Sequence, residues 1–161
     1  MNKLVPHVFV LPEDDANRQL ANGFVLDGGL DGRRIQILEE AGGWMEVLNR
    51  FKEEHIPTME RNGKRFIILL LDFDQDGDRL GFANSFIPDQ LRDRVFVLGV
   101  WSEPEDLRKQ SGNSYETIGK TLAKDCRENA RHAWEHKLLA HNAGELERLR
   151  KHVYPILFGK S

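Results

Sequence analysis

Two kinds of apolar patterning divide this chain. Short unbroken runs occupy residues 7–11, 66–71 and 95–100, each bounded by charged or turn residues. Runs of this length and flanking suit strands buried on both faces, as in a parallel sheet. A buried helix segment competes for 66–71, but the run is short and turn residues follow at once. Residues 33–38 alternate instead and read as a further strand, ending near Glu39 and Glu40. The first strand is stopped by Pro12.

Helical signals fill the intervals. Residues 16–22 have helical composition and meet Gly23, a natural C-cap. Residues 44–55 carry Val47, Leu48 and Phe51 on one face, with Pro57 as the expected stop. Residues 81–94 are mixed, with a helical turn at 88–91. Ser102 and Glu105 stand at capping-box spacing, and Asn113 and Glu116 repeat it before a helix through Ile118, Leu122 and Cys126. A last helical region runs from 130 towards 154, with a break near 142–144 and a stop at Pro155.

Strands alternating with helices predict an α/β fold: a mostly parallel four-stranded sheet flanked by helices, Rossmann-like, with extra C-terminal helices. The expectation is one domain spanning 1–161, its core at about 7–110 and its helical extension at about 111–161. No repeat, linker or low-complexity tract interrupts it.

Composition narrows the class. At 161 residues, 40% hydrophobic and 30% charged, the chain has the make-up of a globular protein with a full core. No apolar run is long enough to span a bilayer. The first fifteen residues have too short an apolar core for a secretory signal. The one cysteine, Cys126, excludes an internal disulfide and reads as a buried, inert thiol. A cytoplasmic location without membrane association is the default. The net charge of −3 argues against strong unaided binding to nucleic acid, because that grip comes from Lys and Arg on phosphates.

The chemistry gathers after the third strand. Asp72, Asp74, Asp76 and Asp78 follow residues 66–71 in close succession, with Gly77 to turn the chain. Ligand sites of open α/β sheets lie just beyond the carboxyl ends of strands. Carboxylates crowded there repel one another and gain by sharing a divalent cation with oxygen ligands, magnesium foremost.

With Glu13 after the first strand and Asp72-x-Asp74 after the third, the layout resembles the Toprim domain of topoisomerases, primases and OLD-family nucleases. The run Asp72-x-Asp74-x-x-Gly77-x-Arg79 is similar to the family's extended motif. The resemblance covers residues 7 to about 110, with departures at Asp14, where the family often has glycine, and in the acids after the fourth strand. It implies Glu13, Asp72 and Asp74 as the catalytic residues at Mg²⁺ or Mn²⁺, Glu13 as ligand or general base and Asp72 and Asp74 as ligands, assisted by Asp76 or Glu103, with Arg79 on phosphate. It further implies phosphodiester cleavage of DNA or RNA in a repair or phage-defence assembly, beside a partner ATPase. A degenerate module that binds a partner and no longer cuts is the alternative.

Other chemistries compete for these residues. Asp72-x-Asp74-x-Asp76-Gly77 opens like a calcium EF-hand loop, but Ala83 holds the twelfth position and a strand precedes it. A non-EF calcium loop is a further option. Haloacid-dehalogenase phosphatases also place Asp-x-Asp after an apolar strand. The plainest reading is a solvated strand-to-loop corner. His132-Ala133-Trp134-Glu135-His136 spells an inverted-zincin pattern if helical, against a surface or packing role for both histidines. Trp44, Trp101 and Trp134 read as core or surface anchors more than as base-stacking platforms.

Overall fold

Four strands, β1 (His7–Pro12), β2 (Ile35–Ile37), β3 (Arg65–Leu70) and β4 (Val95–Leu98), run parallel in the order β2-β1-β3-β4. They belong to a computed structural model that describes residues 2–159. Side chains alternate across a strand, so the sheet feeds two separate cores. Val8, Val10, Ile68, Phe96 and Leu98 face one, and Leu11, Ile67, Leu69, Val95 and Val97 face the other. Because both faces are covered, the strands read as continuous apolar runs.

On the first face lie α1 (Asp15–Val25), α5 (Pro104–Ser111), α6 (Tyr115–Arg127), α7 (Ala143–His152) and α8 (Tyr154–Phe158). On the second lie α2 (Trp44–Arg50), α3 (Ile56–Arg61) and α4 (Arg79–Asn84). The result is a three-layer α/β/α arrangement. The strand order reverses at β1, with β2 on one side and β3 and β4 on the other. The carboxyl ends of β1 and β3 therefore flank the topological switch point, where such sheets open a crevice.

Several local expectations give way to stronger local physics. The second strand is shorter than 33–38, because the Asp31 carboxylate accepts the Arg33 amide at 3.1 Å and winds Gly32–Arg34 into a 3-10 turn. Pro57 does not stop its helix. After α2 the chain widens into a π-helical segment, Phe51–His55, and this resets the register. Pro57 then falls in the first turn of α3, directly after the widened turn. Pro155 likewise falls in the first turn of α8.

Two caps and one predicted helix shift as well. The Ser102–Glu105 box does not form: Pro104 starts α5, and the Ser102 hydroxyl is buried without a partner. In α6 the cap is Ser114, whose Oγ accepts the Thr117 amide at 3.1 Å. Residues 130–139 form turns rather than helix. Asp125 holds that turn by accepting the Ala133 amide at 2.7 Å.

Gly23 lies inside α1 instead of ending it. There, and at Gly119 of α6, an added Cβ would collide with backbone of the facing helix. The two glycines let α1 and α6 pack with their backbones close together.

The C-terminal segment completes the first core and closes one edge of the sheet. Glu145 Oε2 accepts the Val97 amide at 2.8 Å, and the Asn142 side chain bonds both the N–H and the C=O of Gly99, at 3.2 and 2.9 Å. Arg148 donates to the Val95 carbonyl at 3.2 Å and to that of Arg92. Side chains thus satisfy backbone groups that a further strand would otherwise seek. Among the described residues no helix is long and apolar enough to cross a membrane.

Candidate functional site

Glu13, Asp14 and Asp72 converge at the switch point. One carboxylate oxygen from each lies within 4.8 Å of the other two, in half-buried surroundings. Glu13 follows β1 directly, and its amide donates to the Leu70 carbonyl at 2.8 Å, which locks the ends of β1 and β3 together. Asp14 is the N-cap of α1, accepting the Asn17 amide at 2.9 Å. Asp72 follows β3 where the chain still runs beside β4, through bonds from Leu71 N to Leu98 O and from Phe73 N to Val100 O.

One oxygen of each carboxylate is held by a protein donor. The Asp72 amide donates to Glu13 Oε1 at 3.0 Å, and Asn17 Nδ2 donates to Asp14 Oδ1 at 2.9 Å and to Asp72 Oδ1 at 2.8 Å. The second oxygen of each takes no hydrogen bond from the described residues. Asn17 is fully buried, and its own Oδ1 is left without a partner. An orphaned carbonyl costs about 1–3 kcal/mol, so the pull of two carboxylates on the amide outweighs it.

Electrostatics follow from crowding and burial. Burial, reinforced by Glu13, Asp14 and Glu105, pushes the Asp72 carboxyl up to about 7, against the opposing hydrogen bond from Asn17. Burial likewise raises Glu13, with Asp14 and Asp74 adding to the rise; the Asp72 amide and Arg79 oppose it. Such a cluster gains from a cation. An all-carboxylate oxygen set suits magnesium or manganese. Oxygens bound to one magnesium at about 2.0–2.1 Å stand at most about 4.2 Å apart. A spread of 4.8 Å or less needs only a small inward shift of side chains, so these residues fit such an ion.

The remaining acids named from the sequence lie outside this group of three. Asp74 is exposed and left-handed, φ 50°, with its amide on the Ser102 carbonyl at 3.2 Å. Its charge reaches both Glu13 and Glu103. Asp76 is exposed and turns its carboxylate back to the Asp78 amide at 2.9 Å, fixing the loop. Glu103 is exposed, its carboxyl raised chiefly by Glu105. Glu40 is drawn away by Arg18 at 2.9 Å.

Arg79 stands beside the cluster. It donates to the Asp72 backbone carbonyl at 2.8 Å and lies 4.1 Å above the Trp44 ring. Trp44 opens α2 after Gly42, whose amide donates to the Glu13 carbonyl at 2.8 Å. Gly42 has φ 99°, a conformation that favours glycine, and this turn brings Trp44 to the site.

Neither Asn17 nor Asp14 as a member of the acidic cluster stands out in the sequence. One signal was present: Asn17 occupies the apolar stripe of α1 with Leu20 and Ala21, at i, i+3 and i+4. A polar residue on a buried face needs a partner.

The other motifs resolve simply. A strand precedes the acidic loop, and the EF-hand requires a helix there. His132 and His136 sit in turns, and His136 Nδ1 accepts the Leu138 amide at 3.1 Å. Cys126 is buried, with its thiol pushed up to about 11 by burial. Trp134 is buried and donates to the Leu122 carbonyl at 3.2 Å. No protein-family model, curated protein or solved structure matches this chain.

Proposed function

We propose that the chain is a Toprim-like, magnesium- or manganese-dependent nuclease that hydrolyses phosphodiester bonds of nucleic acid. The reading rests on one observation: Glu13, Asp14 and Asp72 meet at the switch point, each with one oxygen fixed and one left free. Glu13, Asp14 and Asp72 would hold the ion, with Asp74 beside them as the exposed member of the Asp-x-Asp pair. When bound, the ion would polarise a phosphoryl oxygen and lower the pKa of a coordinated water. Arg79, anchored on the Asp72 carbonyl, keeps a guanidinium beside the carboxylates for a phosphate oxygen. Work within a repair or phage-defence assembly, with a partner ATPase, is what the family resemblance adds.

The test is direct. Purified protein is titrated with manganese, then incubated with labelled single- and double-stranded DNA and RNA. Wild type is expected to take up the ion and cut; Asp72→Asn is expected to lose both. Unchanged metal uptake and cleavage in Asp72→Asn overturns the proposal.

A second reading has its own support. The Asn17 amide bridges Asp14 and Asp72 and so occupies one oxygen of each, and Asp74 stays outside the group. Both suit a module that binds a partner and does not cut. Binding of a partner with no cleavage under any divalent metal would favour it.

A further inference from the structure

From the carboxylates a continuous chain of contacts runs out to the surface. The Asp72 carbonyl holds Arg79, and Arg79 stacks on Trp44. Trp44 meets Phe82 edge-on at 5.6 Å, and Phe82 meets Phe86 at 5.5 Å. Phe82 is 45% exposed, one of few large apolar side chains left in water. Trp44 and Phe86 are half-buried and pack against the core of the second face. They form a fixed base on which Phe82 stands outward.

We infer that Phe82, backed by Trp44 and Phe86 and headed by Arg79, is a stacking platform for single-stranded nucleic acid leading into the carboxylate site. The inference rests on the nuclease reading for its class of substrate and narrows it to unpaired strands. Every base has a π-face, so an aromatic ring takes successive bases whatever the sequence. A duplex keeps those faces inside its own stack and cannot offer them. Arg79, bonded to the Asp72 carbonyl and stacked on Trp44, sets a guanidinium next to the aromatic ring where it is suited to a backbone phosphate. The exposed Asp74, Asp76 and Asp78 repel a polyanion, so the strand approaches along the aromatic side, and divalent cations strengthen its binding.

The test is fluorescence anisotropy with the full chain and labelled oligo(dT), oligo(U) and a duplex of equal length. It is run at low ionic strength with chelator, so that cleavage cannot intervene, and repeated with calcium. Single strands are expected to bind more tightly than duplex. Phe82→Ala is expected to weaken single-strand binding about 5- to 150-fold, the range for loss of one base stack, and Phe82→Tyr to retain it. Circular dichroism confirms that both variants fold. Equal affinity for duplex, or unchanged affinity in Phe82→Ala, overturns the inference. The two readings fail separately: Phe82-dependent binding without cleavage under any metal ends the nuclease reading alone. Metal-dependent cleavage with binding indifferent to Phe82 ends the platform alone.

Discussion

The amide of Asn17 and the carboxylate of Asp72 meet at 2.8 Å although 55 residues separate them in the chain. That bond ties the first turn of α1 to the end of β3 across the switch point. The same amide serves Asp14 at 2.9 Å and so holds two of the three acids side by side.

Asn17→Leu should therefore weaken both the fold and the site. Two half-buried carboxylates lose their shared donor, and hydrogen bonds to charged groups contribute about 1.5–3 kcal/mol each. A loss on the order of 2 kcal/mol in urea denaturation, with weaker manganese uptake, is expected. A variant as stable as wild type would show that the amide is not what restrains the cluster.

Asp72→Asn should have the opposite effect on stability. A carboxyl raised to about 7 is held uncharged more readily in the fold than in the unfolded chain, so its contribution to stability declines as pH rises from about 4 towards 7. Removing the charge should stabilise the metal-free protein at neutral pH. After discounting for partial exposure, the gain is about 1–2 kcal/mol. Thermal melts in chelator measure it. On the proposed metal-binding reading, added manganese should reverse the order by stabilising wild type alone.

Much of the frame was legible from one-dimensional pattern, because burial on both faces writes itself into the strands as unbroken apolar runs. The pairing of Glu13 with Asp72 was legible for a related reason: both residues follow strands directly. Asp14 and Asn17 were not, since a helix cap looks the same in sequence whether or not its free oxygen faces another acid. Gly23 misled for want of its partner. A glycine near a helix end suggests a cap, and only the closeness of α6 gives it another purpose. Pro57 misled because a π-helical segment leaves no compositional mark.

Gly23→Ala and Gly119→Ala test that closeness. Each added methyl would drive into the facing helix backbone, at the Glu116 carbonyl and the Leu20 carbonyl respectively. Overpacking of this kind costs about 1–3 kcal/mol. A Gly→Ala change in an exposed helix would instead stabilise by up to about 1 kcal/mol. The sign of the change in melting temperature decides between close packing and mere tolerance.

His7 sets an acid limit on stability. It is fully buried, its Nδ1 bonds the Val5 carbonyl at 2.9 Å, and its Nε2 accepts from Arg65 Nε at 3.0 Å. Burial lowers its pKa, and the neighbouring Arg65 adds to the effect. The unfolded chain therefore takes up the proton first. The contribution of a neutral His7 should be full above about pH 6.5 and be lost as pH drops below it. His55 and His141 are lowered by burial too and act in the same direction. Over about pH 7 to pH 5 this loss opposes the gain from Asp72, so wild type should lose melting temperature relative to His7→Gln as pH falls through that range.

Cys126 should resist thiol reagents in the native state. Its sulfur is buried and accepts from the Tyr154 hydroxyl at 2.9 Å, and a thiol held near 11 offers little thiolate at neutral pH. Labelling should await global unfolding, and prompt reaction would show that the first core opens locally.

The side chains of Asn142, Glu145 and Arg148 have a consequence for assembly. With backbone groups along β4 already engaged, a neighbouring molecule finds no template there. Any growth of the sheet by strand addition is left to the margin beside β2, so the protein can be extended in one direction and is sealed in the other.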